Sequence, residues 1–247
     1  TGPPGHEVRS ATSPKVLRIL AREPLPLELG ENPGAIASPN SSLLYALDLP
    51  EPTLLTIAVA APNAGARADL PFLPASGRFE DELMRGFKLG DKPYHLFVLA
   101  PQGASYLVYR AYGAASGYPI SLSVSPAPVA LADLPVLSGA GVLSGVVTPG
   151  GGAWYRVDLP PLGQLSMSID GDGIGCAPTT PNGVDSQLQV LDADGRRVAF
   201  NDDSPANYCS TVALASDAGG PHYVHVASSQ QFAPEASFPF QLTFEVQ

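Results

Sequence analysis

Two cysteines, two methionines, one tryptophan and four histidines are all that this 247-residue chain holds of the side chains that most often carry catalysis or bind soft metals. It has no Gly-x-Ser-x-Gly and no His-Glu-x-x-His, so the common hydrolase signatures are missing. His6, His95, His222 and His225 are scattered, and His225 alternates outward on its strand, the pattern of a surface residue. No apolar run approaches the ~20 residues that a membrane-spanning helix needs. Basic residues are also few, 13 Lys and Arg against 23 Asp and Glu, for a formal charge of −10. The deficit is uneven. Residues 1–126 carry 10 basic and 11 acidic side chains, whereas residues 127–247 carry 3 and 12. A net of −9 in the second half argues against nucleic acid, where phosphate contacts by Lys and Arg supply most of the affinity. It suits solubility, and it permits cation binding.

What the chain has in quantity is Pro, 27 residues, and Gly, 25, between short runs of Val, Leu and Ile. These residues interrupt helices and make turns. The chain opens at Thr1 on TGPPGHEVRS, with no Met and no apolar signal core, as expected of a mature or trimmed terminus. Cys176 and Cys209 both lie in the second half. An even pair fits a disulfide formed in an oxidising compartment, closing a loop of about 33 residues worth about 3 kcal/mol. The alternative is a pair of buried free thiols. A metal site at the cysteines is disfavoured, since they lack short ligand spacing and have no histidine nearby in sequence.

The organising feature is a repeat. Ile36–Pro50 lies over Val146–Pro160 without a gap, matching Pro39 with Pro149, Tyr45 with Tyr155, Asp48 with Asp158 and Leu49-Pro50 with Leu159-Pro160. The offset of 110 continues through Leu55, Ile57 and Val59 over Leu165, Met167 and Ile169. It becomes 118 where Phe72-Leu73 meets Val190-Leu191, and 120 where Tyr118–Val124 meets Phe238–Phe244. The drift assigns longer loops to the second copy. Within each copy the period is two: Leu188 and Val190 alternate with Gln187 and Gln189, and Val224 and Val226 with Tyr223 and His225. Turn signals such as Pro149–Gly152, Asp194-Gly195 and Asp217–Gly220 separate the strands. The pattern predicts two antiparallel β-sandwiches of about 110 residues each. The expected division is a flexible or strand-leading segment 1–14, a first sandwich 15–125 and a second 126–247, joined by the stiff Ser125–Pro128 linker through a modest interface. One helical stretch is expected, Phe79–Phe87, with Leu83, Met84 and Phe87 on one face.

The order of elements in copy two resembles the bacterial pre-peptidase C-terminal domain family, jelly-roll-like modules appended to secreted proteases. The matching segments are Tyr155–Pro160, Asp185–Leu191, Asp192–Gly195, Asn201–Asp203, Gly220–Val226 and Phe240–Phe244. Together they span nearly all of residues 136–247. Copy one is similar more faintly: Tyr45–Pro50 and Ala68–Leu73 are present, while Glu80–Glu82 stands where the Asn-Asp-Asp segment should be. The resemblance implies an all-β chain of two tandem antiparallel jelly-roll-like β-sandwich domains with no catalytic role. It implies a secreted, periplasmic or cell-surface accessory or adhesive protein, whose partner is a neighbouring protease, another protein, or an insoluble polymer such as collagen.

Three sets of side chains are candidate sites. Asp170, Asp172, Asp185, Asp192, Asp194, Asn201, Asp202 and Asp203 stand at strand ends and turns of copy two, and hard oxygen ligands from loops are what Ca²⁺ takes, six to eight at a time. No cofactor is required by the reading, and Ca²⁺ is the one it admits. The competing role for these residues is local: Asp194-Gly195 makes a hairpin turn, and Asn201–Asp203 can cap its own loop. Trp154, on the polar side of its strand beside Arg156, and Tyr106, Tyr109, Tyr112 and Tyr118 form the second set. They suit a carbohydrate-binding face, or else they close the sandwich ends and the interface between copies. The third set is the sandwich edges, through which an assembly subunit could recruit a partner strand. Paired carboxylates also occur in glycosidases, but turn aspartates without aromatic sugar platforms do not make such a site.

Overall fold

The computed structural model describes residues 23–36, 42–60, 67–89, 93–112, 118–172, 176, 184–203, 208–229 and 236–247, and the expected flexible segment 1–14 lies outside them. Strands account for nearly all of the secondary structure. In copy one they are β1 (Leu25–Pro26), β2 (Gly30–Ile36), β3 (Ser42–Leu49), β4 (Thr53–Ala60), β5 (Arg67–Leu73), β6 (Met84–Leu89), β7 (Tyr94–Ala100), β8 (Gly103–Tyr112) and β9 (Tyr118–Pro126). Copy two supplies β10 (Val136–Leu137), β11 (Ala140–Val147), β12 (Gly152–Leu159), β13 (Gly163–Asp170), β14 (Ser186–Leu191), β15 (Arg197–Asn201), β16 (Thr211–Ser216), β17 (Gly220–Ser228) and β18 (Phe238–Val246).

These strands form two β-sandwiches with one topology. Sheet β1-β3-β8-β5-β6 faces sheet β2-β9-β4-β7, and sheet β10-β12-β17-β14-β15 faces sheet β11-β18-β13-β16, so adding nine to each strand of the first pair gives the second. All neighbours are antiparallel except the short β1–β3 and β10–β12 pairs. The registers follow the sequence offsets from β3 onwards, but β2 and β11 are one residue out: Ile36 pairs with Tyr118, and Val147 rather than Val146 pairs with the equivalent Phe238. The row Tyr45–Leu107–Phe72 crosses one five-stranded sheet, and Tyr155–Val224–Val190 crosses the other. In the four-stranded sheets, Ile57 faces Val124 as Met167 faces Phe244. Tyr45 and Tyr155 are buried in their respective cores, and burial pushes the Tyr45 hydroxyl up to about 12. Room for the Tyr45 ring is made by Gly34, where a Cβ would run into the phenol oxygen.

The two sandwiches are fused through a buried seam. Strand β7 lies on the outer face of the β10-β12-β17-β14-β15 sheet, and the apolar cluster of copy one continues into Trp154, Leu191 and Ala227 of copy two. The His225 ring is held between Phe97, at 4.1 Å between ring centroids, and Trp154, at 4.2 Å. Gln189 Nε2 donates to the Phe97 carbonyl at 2.9 Å, so a polar side chain satisfies the backbone of an edge strand. At the rim, the Arg197 N–H donates to the Leu83 carbonyl at 2.8 Å. Gly195, at φ 83°, turns so close to the Leu99 carbonyl oxygen that no Cβ could fit. The seam is more extensive than the modest interface expected. The Ser125–Pro128 stretch is not a free tether either: β9 runs to Pro126, and the Ala127 N–H donates to the Leu54 carbonyl at 2.8 Å.

Burial on both faces explains where alternation misled. All six residues of β14 are buried, including Gln187 and Gln189, because one face meets the copy-two core and the other meets β7. The helical expectation over Phe79–Phe87 is corrected as well. A 3-10 turn covers only Phe79–Asp81, and Met84 begins an edge strand that pairs with β5, with Phe87 exposed and Leu83 and Met84 buried. The 3-10 turn places Phe79 over the outer face of the β1-β3-β8-β5-β6 sheet, where Leu44, Leu73 and Val108 form a separate buried cluster with Tyr106 packed against it. Arg110 sits over the Phe79 ring, 5.1 Å from its centroid.

The wild-type chain is expected to melt as one cooperative unit. Phe97→Ala removes a buried aromatic from the seam and should cost about 3–5 kcal/mol. Calorimetry should then resolve two transitions, one per sandwich; a single transition at the wild-type temperature would contradict a seam of this strength.

Candidate functional site

Three chain segments meet at one end of the β10-β12-β17-β14-β15 sheet. Asp185 precedes β14, Asp202 and Asp203 follow β15, and Ser229 follows β17. The antiparallel registers Leu188–Asn201 and Ser186–Ser228 bring these three ends together. The Ser229 N–H donates to the Asp185 carbonyl at 2.9 Å, and the Ser229 hydroxyl donates to Asp202 Oδ2 at 3.3 Å. Asp185 is only 1% exposed, and among the described residues neither of its carboxylate oxygens, nor Asp202 Oδ1, is paired by hydrogen-bond geometry. A buried carboxylate without a partner is costly when ionised. Burial pushes Asp185 up to about 7, with the charges of Asp202 and then Asp203 adding to the rise and the neighbouring Ser229 hydroxyl opposing it. Burial likewise pushes Asp202 up to about 6, against the Ser229 hydroxyl bond, which lowers it.

The disulfide Cys176–Cys209 braces this end, with its Cα atoms 5.2 Å apart. The Ser186 N–H donates to the Tyr208 carbonyl at 3.0 Å, and the Ser210 hydroxyl donates to the Ser186 carbonyl at 2.6 Å. The strand entering the acidic pocket is therefore clamped to the disulfide-bonded segment. Ser229 was not among the sequence candidates. Its only signal was its place immediately after a strand that pairs with the one following Asp185.

The other acidic candidates lie elsewhere. Asp192 Oδ1 accepts from the N–H groups of Asp194, at 3.0 Å, and Arg196, at 2.9 Å, which closes the β14–β15 hairpin turn. Asp194 is exposed on that turn. Asn201 Oδ1 accepts from the Thr211 N–H at 3.1 Å and ties β15 to β16. Asp170 is exposed at the end of β13, and Asp172, at φ 49°, accepts from Gln241 Nε2 at 2.8 Å. Among the described residues no group of three His, Cys, Asp or Glu side chains converges closely enough to hold a metal between them. The structure thus separates the eight into turn-closing residues and one pocket pair, Asp185 and Asp202, with Asp203 beside it.

The aromatic candidates are also redistributed. Trp154 is not exposed beside Arg156; it is buried in the seam against His225. Tyr109 is in the core, Tyr106 covers the small cluster on the outer face of copy one, and Tyr112 is exposed. The Tyr118 side chain lies outside the described residues. His225 does not face solvent: it is buried, neither ring nitrogen has a partner among the described residues, and burial pulls it down to about 3. His95 and His222 are buried too, so no histidine among the described residues reaches the surface; His6 lies outside them. Two shallow depressions, of about 310 and 660 Å³, lie on the outer face of the β11-β18-β13-β16 sheet, with Glu245 the one ionisable side chain lining either. Neither presents an acid–base pair.

The chain matches no protein-family model. No curated protein matches it either. Solved structures similar in fold include the pre-peptidase C-terminal domain of collagenase from Bacillus anthracis, at 18% identity and a TM-score of 0.35, over 42% of this chain and 96% of that one. A periplasmic inhibitor of g-type lysozyme from Aeromonas hydrophila has 13% identity and a TM-score of 0.35, over 46% and 95%. The tandem CBM51 modules of a family 98 glycoside hydrolase from Streptococcus pneumoniae have 11% identity and a TM-score of 0.27, over 86% and 83%. Likeness at this level concerns fold alone. The class that the strands and registers define is a tandem pair of antiparallel β-sandwiches. Among the described residues no helix is long and apolar enough to cross a membrane.

The pocket gives the stability a definite pH dependence. Folded Asp185 and Asp202 keep their protons to about pH 7 and 6, whereas in the unfolded chain they lose them near the ordinary carboxylate value of 3.8. Their contribution is therefore fully present below pH ~4 and is lost as pH rises through 6 and 7. His225 acts oppositely: its contribution is present above about pH 6.5 and falls as pH drops towards 3. Two groups outweigh one, so with chelator present the melting temperature should fall between pH 5 and pH 7.5. Asp185→Asn should flatten that slope; an unchanged slope would mean that Asp185 is not the buried acid described.

Proposed function

We propose that the chain is a non-catalytic accessory or adhesive binding protein of an oxidising, extracytoplasmic compartment, and that its second sandwich binds Ca²⁺ through Asp185 and Asp202. The observation that carries the cation reading is the buried carboxylate of Asp185, which among the described residues has no well-formed hydrogen bond and only the Ser229 hydroxyl beside it: a divalent ion would supply the missing charge and bonds. Asp203 raises the negative potential there, and Ser229 orients Asp202. The bound ion would convert a proton-holding pair into an ionised one and lock the ends of β14, β15 and β17 together.

The non-catalytic reading is supported by the burial of every described histidine and by surface depressions without paired acids and bases. The compartment is supported by the disulfide and by the acidic, Lys-poor second half. The partner class is a protein or an extracellular polymer, collagen or a polysaccharide, with no role for nucleic acid. A carbohydrate site built on Trp154 is not carried forward, because that ring is enclosed in the seam.

Melting at pH 7.5 in millimolar Ca²⁺ and then in chelator tests the site. Saturation at about 100 times Kd contributes about 2.7 kcal/mol, which in a chain of this size raises Tm by about 5–10 °C. Asp185→Asn should abolish the shift, and equal melting curves for the wild type in both buffers would sink the proposal. Retention of the Ca²⁺-loaded chain on insoluble collagen, chitin or cellulose, against a bovine albumin control, tests the adhesive role separately.

A further inference from the structure

The two copies treat one equivalent edge in opposite ways. Among the described residues, strands β2 and β11 each have a strand neighbour on one side only, β9 and β18 respectively. Gly30 faces Val124 as Gly141 faces Phe244, so Glu31, Pro33 and Ala35 of copy one occupy the positions of Val142, Ser144 and Val146 in copy two. Copy one blocks its edge by two recognised means. Pro33 has no N–H to offer, and Glu31 places a charge there, accepting from the Ser121 hydroxyl at 2.8 Å. In copy two both are missing. Strand β11 reads Ala-Gly-Val-Leu-Ser-Gly-Val-Val, with no proline, no charge and no bulge through eight consecutive pairs with β18.

That edge is also available. Gly139 accepts from the Val246 N–H at 2.7 Å, so the odd-numbered residues of β11 bond towards β18. The N–H and C=O groups of Ala140, Val142, Ser144 and Val146 turn to the open side. Val142 is 58% exposed and Val146 59%, an unusual exposure for two valines on one strand.

We propose that β11 is a docking edge through which two copies of the chain associate, β11 against β11, antiparallel about a twofold axis at Ser144. The strand is self-complementary in that register. Ser144 of one copy faces Ser144 of the other, and Val142 of each faces Val146 of the other. No charge lies on β11 itself, and Glu245, paired with Ala140, sits at opposite ends of the joined strands in the two copies. Asp170 and Asp172 lie nearer the axis, at Gln241, the β18 partner of Ser144, with both β11 strands between them and their counterparts in the other copy. The two four-stranded sheets become one of eight strands, with both orphaned edges satisfied.

Sedimentation equilibrium of the intact chain, from about 5 to about 500 µM, reads the outcome, since an interface of this limited size associates weakly. The expected result is a mass that doubles across the range. Ser144→Pro should hold the chain monomeric throughout with its melting curve at low concentration unchanged, because Pro33 occupies the equivalent position in copy one. Val142→Lys combined with Val146→Lys should do the same without touching the backbone. A wild-type chain that stays monomeric at every concentration overturns the proposal, as does a dimer that survives both variants. Were β11 instead the seat for a strand of another protein, the wild type would be monomeric, and the twofold pairing would be wrong.

Discussion

The contact on which the rest of the molecule depends is the three-ring stack in the seam, Phe97 on His225 on Trp154. A fully buried aromatic contributes about 3 kcal/mol from area alone, so Phe97 and Trp154 together rival the whole stability of a small domain. The stack also fixes chemistry. Among the described residues neither His225 nitrogen has a hydrogen-bond partner, and burial pulls the ring down to about 3, so it is neutral at pH 7. Gln189 completes the joint by bonding the Phe97 carbonyl. The outer face of one sheet thereby becomes interior, and the two sandwiches behave as one body.

The strand frame was legible in the sequence because it repeats. Tyr45 and Tyr155 anchor corresponding rows, and the offsets of 110, 118 and 120 reappear as cross-strand registers. The disulfide was legible from the even, isolated cysteine pair. What alternation could not reveal is which covering each face receives. Gln187, Gln189 and His225 occupy polar-side positions, and period two says only that one side differs from the other. Whether that side meets water or another sandwich is decided by β7, more than ninety residues away from Gln189 in the chain. One local signal did exist: the run Leu96–Ala100 is apolar without alternation, the mark of a strand buried on both faces. The helical reading of Phe79–Phe87 failed for a related reason. Leu83, Met84 and Phe87 fit a helix face on spacing alone, while pairing of Met84 with Phe72 imposes an edge strand.

The candidate site was half legible. The acidic residues were identifiable by type, but not which of the eight meet. Asp192 and Asn201 satisfy backbone N–H groups and Asp172 holds Gln241, leaving Asp185 and Asp202 as the buried pair, with Asp203 beside them. Sequence distance hides that pairing. Asp185 and Asp202 lie at the two ends of one hairpin, and only the β14–β15 register returns them to the same place. The pocket and the seam then share a sheet, so ordering at one end of β14 is mechanically continuous with the face that receives Phe97.

The seam joins two unlike surfaces, an edge strand and a sheet face, and a union of that kind carries no inherent limit on length. If each copy offered both surfaces intact, molecules would add head to tail into filaments. The unused counterparts have both been altered. On the face of copy one, Leu44, Leu73 and Val108 stand for Trp154, Leu191 and His225, and they are already roofed by the Phe79 turn. On the edge of copy two, Thr211, Ala213 and Ala215 of β16 stand for His95, Phe97 and Leu99, with nothing large to insert. Among the described residues the two copies thus form this joint once, between β7 and the face of the β10-β12-β17-β14-β15 sheet, and their remaining equivalent surfaces are not shaped to form it again.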